Sequence, residues 1–189
     1  MQTEALRGGF ANQPVEAAFA FRAAMTAMAR PGTVQDISGA EPPAPLSVAA
    51  GTLILTLCDP ETGLALCGAC DTQAVRDWVA FHTGASIVTP DRADFAVGDW
   101  AALQPITGFR IGTPEYPDRS ATLIVEMDAL RNEGAILSGP GIRDTARLAL
   151  PDAAAMARNG MLYPLGLDFY LTSGAQVAAV PRSTRIEEG

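Results

Sequence analysis

The stretch "LDFYLTSGAQVAAVPRSTR" spans residues 167–185 and decides how the chain is read. An apolar run rich in aromatic residues breaks at Ser173-Gly174 and resumes until Pro181. That pattern predicts a β-hairpin turning at Ser173-Gly174. Pro181 has no N–H to give to a ladder, so it closes the second strand. Arg182, Ser183, Thr184 and Arg185 follow at once. Two guanidinium groups and two hydroxyls at a strand end have the chemistry of an anion pocket. The same residues, so near Gly189, also read as a solvated tail.

Upstream, "PDAAAMARNG" (151–160) reads as a short helix between Pro151 and Gly160. "ATLIVEMDAL" (121–130) and "AILSG" (135–139) flank Asn132-Glu133-Gly134, which predicts another hairpin. Residues 104–118 hold three prolines and two glycines and read as an irregular loop. "DFAV" (94–97), "SIV" (86–88) and "GLALC" (63–67) are strand candidates. Asp71 or Thr72 caps a helix with Val75, Trp78, Val79 and His82 on one face. "VAAGTLILTLC" (48–58), after Ser47, is apolar all round and reads as a buried helix. "AEPPAPL" (40–46) is a connector, and "TVQDIS" (33–38) a short strand. Nearest the start, Pro14 opens and Pro31-Gly32 closes a helix. Phe21, Met25 and Met28 are its expected buried face, and Arg22, Thr26 and Arg30 its neighbouring stripe. Hairpins mixed with helical crossovers predict one domain over 1–189, a three-layer α/β fold with a mixed sheet.

The 189 residues carry 21 acidic side chains against 13 basic, a net charge of -8. No positive field draws in nucleic acid or an anionic membrane. No stretch reaches the about 18 apolar residues of a membrane span, and "MQTEALRGGF" has no leader pattern, so the cytoplasm is expected. The hydrophobic share, 48%, is high and suggests a surface covered by a partner. All 13 basic residues are arginine. Without lysine neither a pyridoxal phosphate (PLP) aldimine nor a P-loop can form, so no such cofactor is expected. Any anion falls to arginine, hydroxyls or backbone N–H groups.

"LSGPGI" (137–142) has the spacing of a phosphate loop through Gly139 and Gly141. A dinucleotide fingerprint would need glycine at 144, where Asp144 stands, and Pro140 removes a donor. A tight turn is the simpler reading. Cys67-Gly68-Ala69-Cys70 is a lone C-x-x-C, either a redox dithiol or two buried small residues, with Cys58 in the core. A four-ligand zinc site would have to use all three cysteines and the one histidine of the chain, so no metal site is expected. His82, the one histidine, is the only imidazole for acid–base work, or else a packed side chain. No G-x-S-x-G stands in the chain, and no catalytic residue is assigned.

Taken together, the segments resemble a family. "FRAAMTAMARPG" (21–32), "LTLCD" (55–59), "FHTGA" (81–85), "FAVGD" (95–99), "ATLIVEM" (121–127), "LSGPGI", "YPLGLDFYLT" (163–172) and "AVPRSTR" (179–185) resemble, in order, the PhnH family, core subunits of bacterial carbon–phosphorus lyase. The resemblance implies the large-domain fold of PLP-dependent transferases with the cofactor site lost. It implies a homodimer that joins PhnG, PhnI and PhnJ, with PhnL associated. That assembly transfers an alkylphosphonate such as methylphosphonate to C1 of the ATP ribose and releases adenine. A non-catalytic part is implied for this subunit, with a phosphorylated or phosphonate ligand. Arg182, Thr184, Arg22, His82, Gly139 and Gly141 are the candidate anion contacts. The alternative is an autonomous anion-binding enzyme using the arginines and His82.

Overall fold

In a computed structural model of the chain, the structure describes residues 7–189. Residues 1–6, part of the stretch read for a leader, lie outside the described residues. Among the described residues no helix is long and apolar enough to cross a membrane.

The elements in chain order are α1 (Gln13–Ala29), β1 (Gln35–Asp36), α2 (Val48–Leu57), β2 (Gly63–Leu66), α3 (Gln73–Thr83), β3 (Ser86–Ile87), β4 (Phe95–Asp99), β5 (Thr122–Glu126), β6 (Ala135–Ser138), β7 (Ala146–Leu148), α4 (Ala153–Gly160), β8 (Asp168–Ser173), β9 (Gln176–Val180) and β10 (Arg185–Glu187). Seven strands make one sheet in the order β1-β9-β8-β5-β4-β2-β3, and three make a second, β10-β6-β7. The first is mixed. β3, β2, β4, β5 and β8 run parallel, and β9 and β1 add antiparallel pairings at one edge.

Side chains alternate across a strand, so the large sheet has two faces to cover. Leu64, Leu66, Val97, Ile124, Tyr170, Val177 and Ala179 meet α1, α2 and α3 in one core. Ala65, Ala96, Leu123, Val125, Phe169, Leu171, Ala178 and Val180 face the other way. They pack with Leu137 and Leu148 of the small sheet, Met156 of α4, Phe109 of the irregular segment and Leu103 just before it. The result is three layers: helices, large sheet, and a mixed third layer.

The hairpin at 168–180 forms as expected, with Ser173 opposite Gln176 and Gly174 at a left-handed φ of 55°. The expected helices at 48–58 and 151–160 also form, and Thr72 rather than Asp71 caps α3, accepting from the Val75 N–H. Residues 104–118 are irregular apart from short 3₁₀ turns and a single bridge from Ile111 to Ser120.

Two expectations are overturned. The hairpin around Asn132-Glu133-Gly134 does not form. β5 is an interior strand, parallel to β4 on one side and β8 on the other, so it has no free edge for β6. β6 pairs instead with β7 and β10. Gly134 does turn the chain, at φ 77°, but Asn132 Nδ2 staples the bend to the carbonyls of Gly32 and Arg147. The buried face of α1 is also displaced. Phe21 and Met25 are each 50% exposed, Met28 is half-buried, and Ala20, Ala24 and Ala27 form the contact face. Alanine lets the helix axis approach the sheet closely, and the Tyr170 hydroxyl reaches the Ala24 carbonyl at 3.4 Å. Side-chain size pointed to the wrong face of this helix.

Candidate functional site

β9 ends at Val180, and the chain makes a tight turn in which the Thr184 N–H donates to the Pro181 carbonyl at 2.9 Å. It then enters β10 beside β6. This segment, 181–185, crosses the third layer as a strap. Its fixed point is Arg182. The backbone N–H donates to Asp168 Oδ1 at 2.8 Å and Nε to the same oxygen at 3.1 Å. Nη1 donates to the Pro117 carbonyl at 2.7 Å, while Nη2 donates to Asp168 Oδ2 and the Ser120 hydroxyl. The pair is largely buried, with side chains 14% and 21% exposed. Such a charge-assisted, two-toothed contact is the strong kind. Arg182 therefore braces the strap against β8 and the segment before β5.

Two glycines let the strap lie this close. A Cβ on Gly139 would stand 3.1 Å from the Ser183 carbonyl, and one on Gly160 would stand 3.3 Å from the Thr184 carbonyl. Gly139 has φ 122° and Gly141 φ 82°, conformations that side chains disfavour. A Cβ on Gly141 would run into the Ala29 carbonyl at the end of α1. The local part played by "LSGPGI" is one of close chain packing. The stretch leads into the β6–β7 connection, and its glycines admit two close backbone approaches.

Beside the strap lies a cavity of about 510 Å³. Arg182, Ser183, Thr184 and Arg185 line it from the strap, Ile186 from β10, and Ala157, Gly160, Met161 and Tyr163 from α4 and the turn beyond. Thr184 is 3% exposed, and among the described residues its Oγ1 has no hydrogen-bond partner. Sequence reasoning named Arg182 and Thr184 but missed the Arg182 partners. A signal existed: the hairpin register sets Phe169 opposite Val180, which brings Asp168 to the level of the residues after β9.

The other candidates lie elsewhere. Arg22 stands on the exposed side of α1. His82 lies near the end of α3 in a separate cavity of about 210 Å³ with Gly8, Gly9, Phe10, Gln13 and Leu55. Its Nε2 is 3.2 Å from the Arg7 carbonyl, and its ring sits against Trp78 and Phe81. The six candidate residues do not form one constellation, since Arg182 and Thr184 line the strap cavity and His82 another.

Cys67 and Cys70 lie just beyond the β2 end, both buried. Burial, then Glu126, Asp99 and Cys67, push the Cys70 thiol up to about 12. Burial and Asp71 raise Cys67 as well. Burial and nearby carboxylates raise Cys58 to about 12. A reactive dithiol needs thiolate at neutral pH, and these surroundings suppress it. Among the described residues no group of three or more His, Cys, Asp and Glu side chains gathers to hold a metal.

Fold and site together define a mixed α/β protein whose distinctive feature is a basic strap braced over a cavity. The chain belongs to the PhnH family, since the family model described as bacterial phosphonate metabolism protein (PhnH) matches residues 8–187. It is 40% identical, over 98% of both chains, to alpha-D-ribose 1-methylphosphonate 5-triphosphate synthase subunit PhnH of Rhizobium meliloti (strain 1021). It is 29% identical, over 94% of both, to a protein of Stutzerimonas stutzeri named as C-P lyase subunit protein HtxG.

Proposed function

We propose that this chain is a non-catalytic subunit of the carbon–phosphorus lyase core complex. There it supports transfer of methylphosphonate to the ribose C1 of ATP with release of adenine. The carrying observation is the 40% identity, over 98% of both chains, to the synthase subunit of Rhizobium meliloti. The chain acts as one unit over 1–189, in the cytoplasm, without a cofactor of its own. Its partners in this reading are PhnG, PhnI and PhnJ, with PhnL associated and a second copy forming a homodimer. The exposed apolar side chains of α1, Val15, Phe19, Phe21 and Met25, support coverage by another chain. The mostly parallel sheet with antiparallel β9 supports kinship with the large domain of PLP-dependent transferases. A chain without lysine has no residue to carry the aldimine.

The state of the thiols and the imidazole supports a non-catalytic part. The thiols are held protonated, and the one imidazole is packed between aromatic rings, away from the strap. The autonomous-enzyme alternative draws on the arginines and His82 together, and Arg182 and Arg185 line a different cavity from His82. Adenine release from ATP and methylphosphonate tests the proposal. The purified chain alone gives none, and a reconstituted set of subunits loses activity when it is omitted. Turnover by the isolated chain overturns the proposal, as does an omission that changes nothing.

A further inference from the structure

The strap cavity has the size of a small-molecule site, about 510 Å³ against a usual range of roughly 300–1,000 Å³. The charge of its wall runs against the rest of the molecule. The chain has 21 acidic and 13 basic residues, yet the cavity lining includes Arg182 and Arg185 and no carboxylate. The two arginines differ in state. Arg182 is engaged by Asp168, Ser120 and Pro117. Arg185 is exposed, and among the described residues it makes no ion pair. Thr184 lies between them with a buried hydroxyl that has no partner among the described residues. A buried hydroxyl left unpaired is destabilising, and a χ1 rotation that brought it to an acceptor oxygen in the cavity would remove that penalty. The facing wall is apolar. Met161 and Tyr163, on the turn beyond α4, are 84% and 64% exposed, large side chains left open to solvent.

We propose that this cavity binds a small organophosphorus anion, with Arg185, Ser183 and Thr184 taking its phosphoryl or phosphonyl oxygens and Met161 and Tyr163 packing on its organic body. A planar carboxylate is satisfied by one guanidinium fork. Two further hydroxyls suit the additional oxygens of a tetrahedral head group. Arg182 holds the strap in place and is a positioning residue. The assignment deepens the subunit proposal above and rests on it for the choice of phosphorus over sulfur.

Calorimetric titration of the purified full chain tests this, with phenylphosphonate, phenyl phosphate, inorganic phosphate and benzenesulfonate as probes. Saturable binding of either phenyl phosphorus compound is the expected result, and the tighter of the two shows whether a phosphonate or a phosphate ester is preferred. Arg185→Gln weakens that binding about tenfold or more. Thr184→Val and Tyr163→Ala each weaken it several-fold, while Arg92→Gln, on the exposed turn before β4, leaves it unchanged. Arg185 and Tyr163 are exposed, so those two variants keep the test valid should Thr184→Val fold poorly. No saturable binding, or binding indifferent to Arg185→Gln, overturns the site. Inorganic phosphate binding as tightly as the phenyl compounds removes the organic-body contact, and benzenesulfonate binding as tightly removes the preference for phosphorus. If adenine release by the reconstituted complex still requires the chain but tolerates Arg185→Gln, the site falls and the subunit proposal stands.

Discussion

The two faces of the large sheet are closed by different means. On one, helices α1, α2 and α3 cover the strands by continuous apolar packing, with α1 drawn close through Ala20, Ala24 and Ala27. On the other, a thin antiparallel sheet, α4 and a strap complete the layer, and a single arginine–carboxylate pair with two glycine gaps sets their spacing. Helical packing spreads its stabilisation over many contacts, each small. The strap concentrates it in few. Single substitutions should therefore act strongly on the strap face and weakly on the outer side of α1.

The largest effect belongs to Arg182→Ala. It leaves Asp168 as an uncompensated, mostly buried carboxylate and should lower stability by about 3 kcal/mol, read from urea unfolding. A loss within a few tenths of that scale's zero would show that the brace is dispensable and that the two faces do not differ. Gly141→Ala comes next. It forces a side chain onto a φ of 82° and against the Ala29 carbonyl, and should cost about 1–3 kcal/mol by the same measurement. A neutral result would mean the β6–β7 connection gives way freely.

Thr184→Val sharpens the comparison in the opposite direction. Removing a buried hydroxyl with no partner should raise the thermal midpoint, by an amount equivalent to about 1 kcal/mol. A destabilised variant would show that the hydroxyl is satisfied after all. The smallest effect is expected on the helical side. Phe19 is 68% exposed, so Phe19→Ser should change the unfolding free energy by less than about 0.5 kcal/mol. The same variant should weaken self-association, seen by analytical ultracentrifugation. Unchanged association would remove this face from the homodimer proposal.

Legibility followed the same division. The 168–180 hairpin could be read because its turn and both strands are local, with Gly174 placed where a left-handed residue is required. α2 could be read from its uninterrupted apolar run, and α3 from Thr72, whose hydroxyl caps it. β5 misled because a turn signal at Asn132-Glu133-Gly134 says only that the chain bends there. Its partners β4 and β8 come from residues 27 or more positions away at the paired ends, beyond any local pattern, as Phe95 opposite Thr122 shows. On α1 the alanine face and the larger Phe21, Met25, Met28 stripe lie one residue apart in phase, and size favoured the wrong one. For the site, the residue types at 182–185 were legible. What the sequence withheld was their division of labour, with Arg182 turned inward to Asp168 and Arg185 left outward.

The central claim is that this chain contributes surfaces and a binding cavity rather than a reacting group. It is tested most directly by combining His82→Gln, Cys67→Ala and Cys70→Ala in one chain, reconstituting the complex, confirming its size, and measuring kcat for adenine release. The account predicts kcat within about twofold of the unaltered complex. A fall of a hundredfold or more in a complex of normal size, which is the scale of a lost acid–base group, would contradict it.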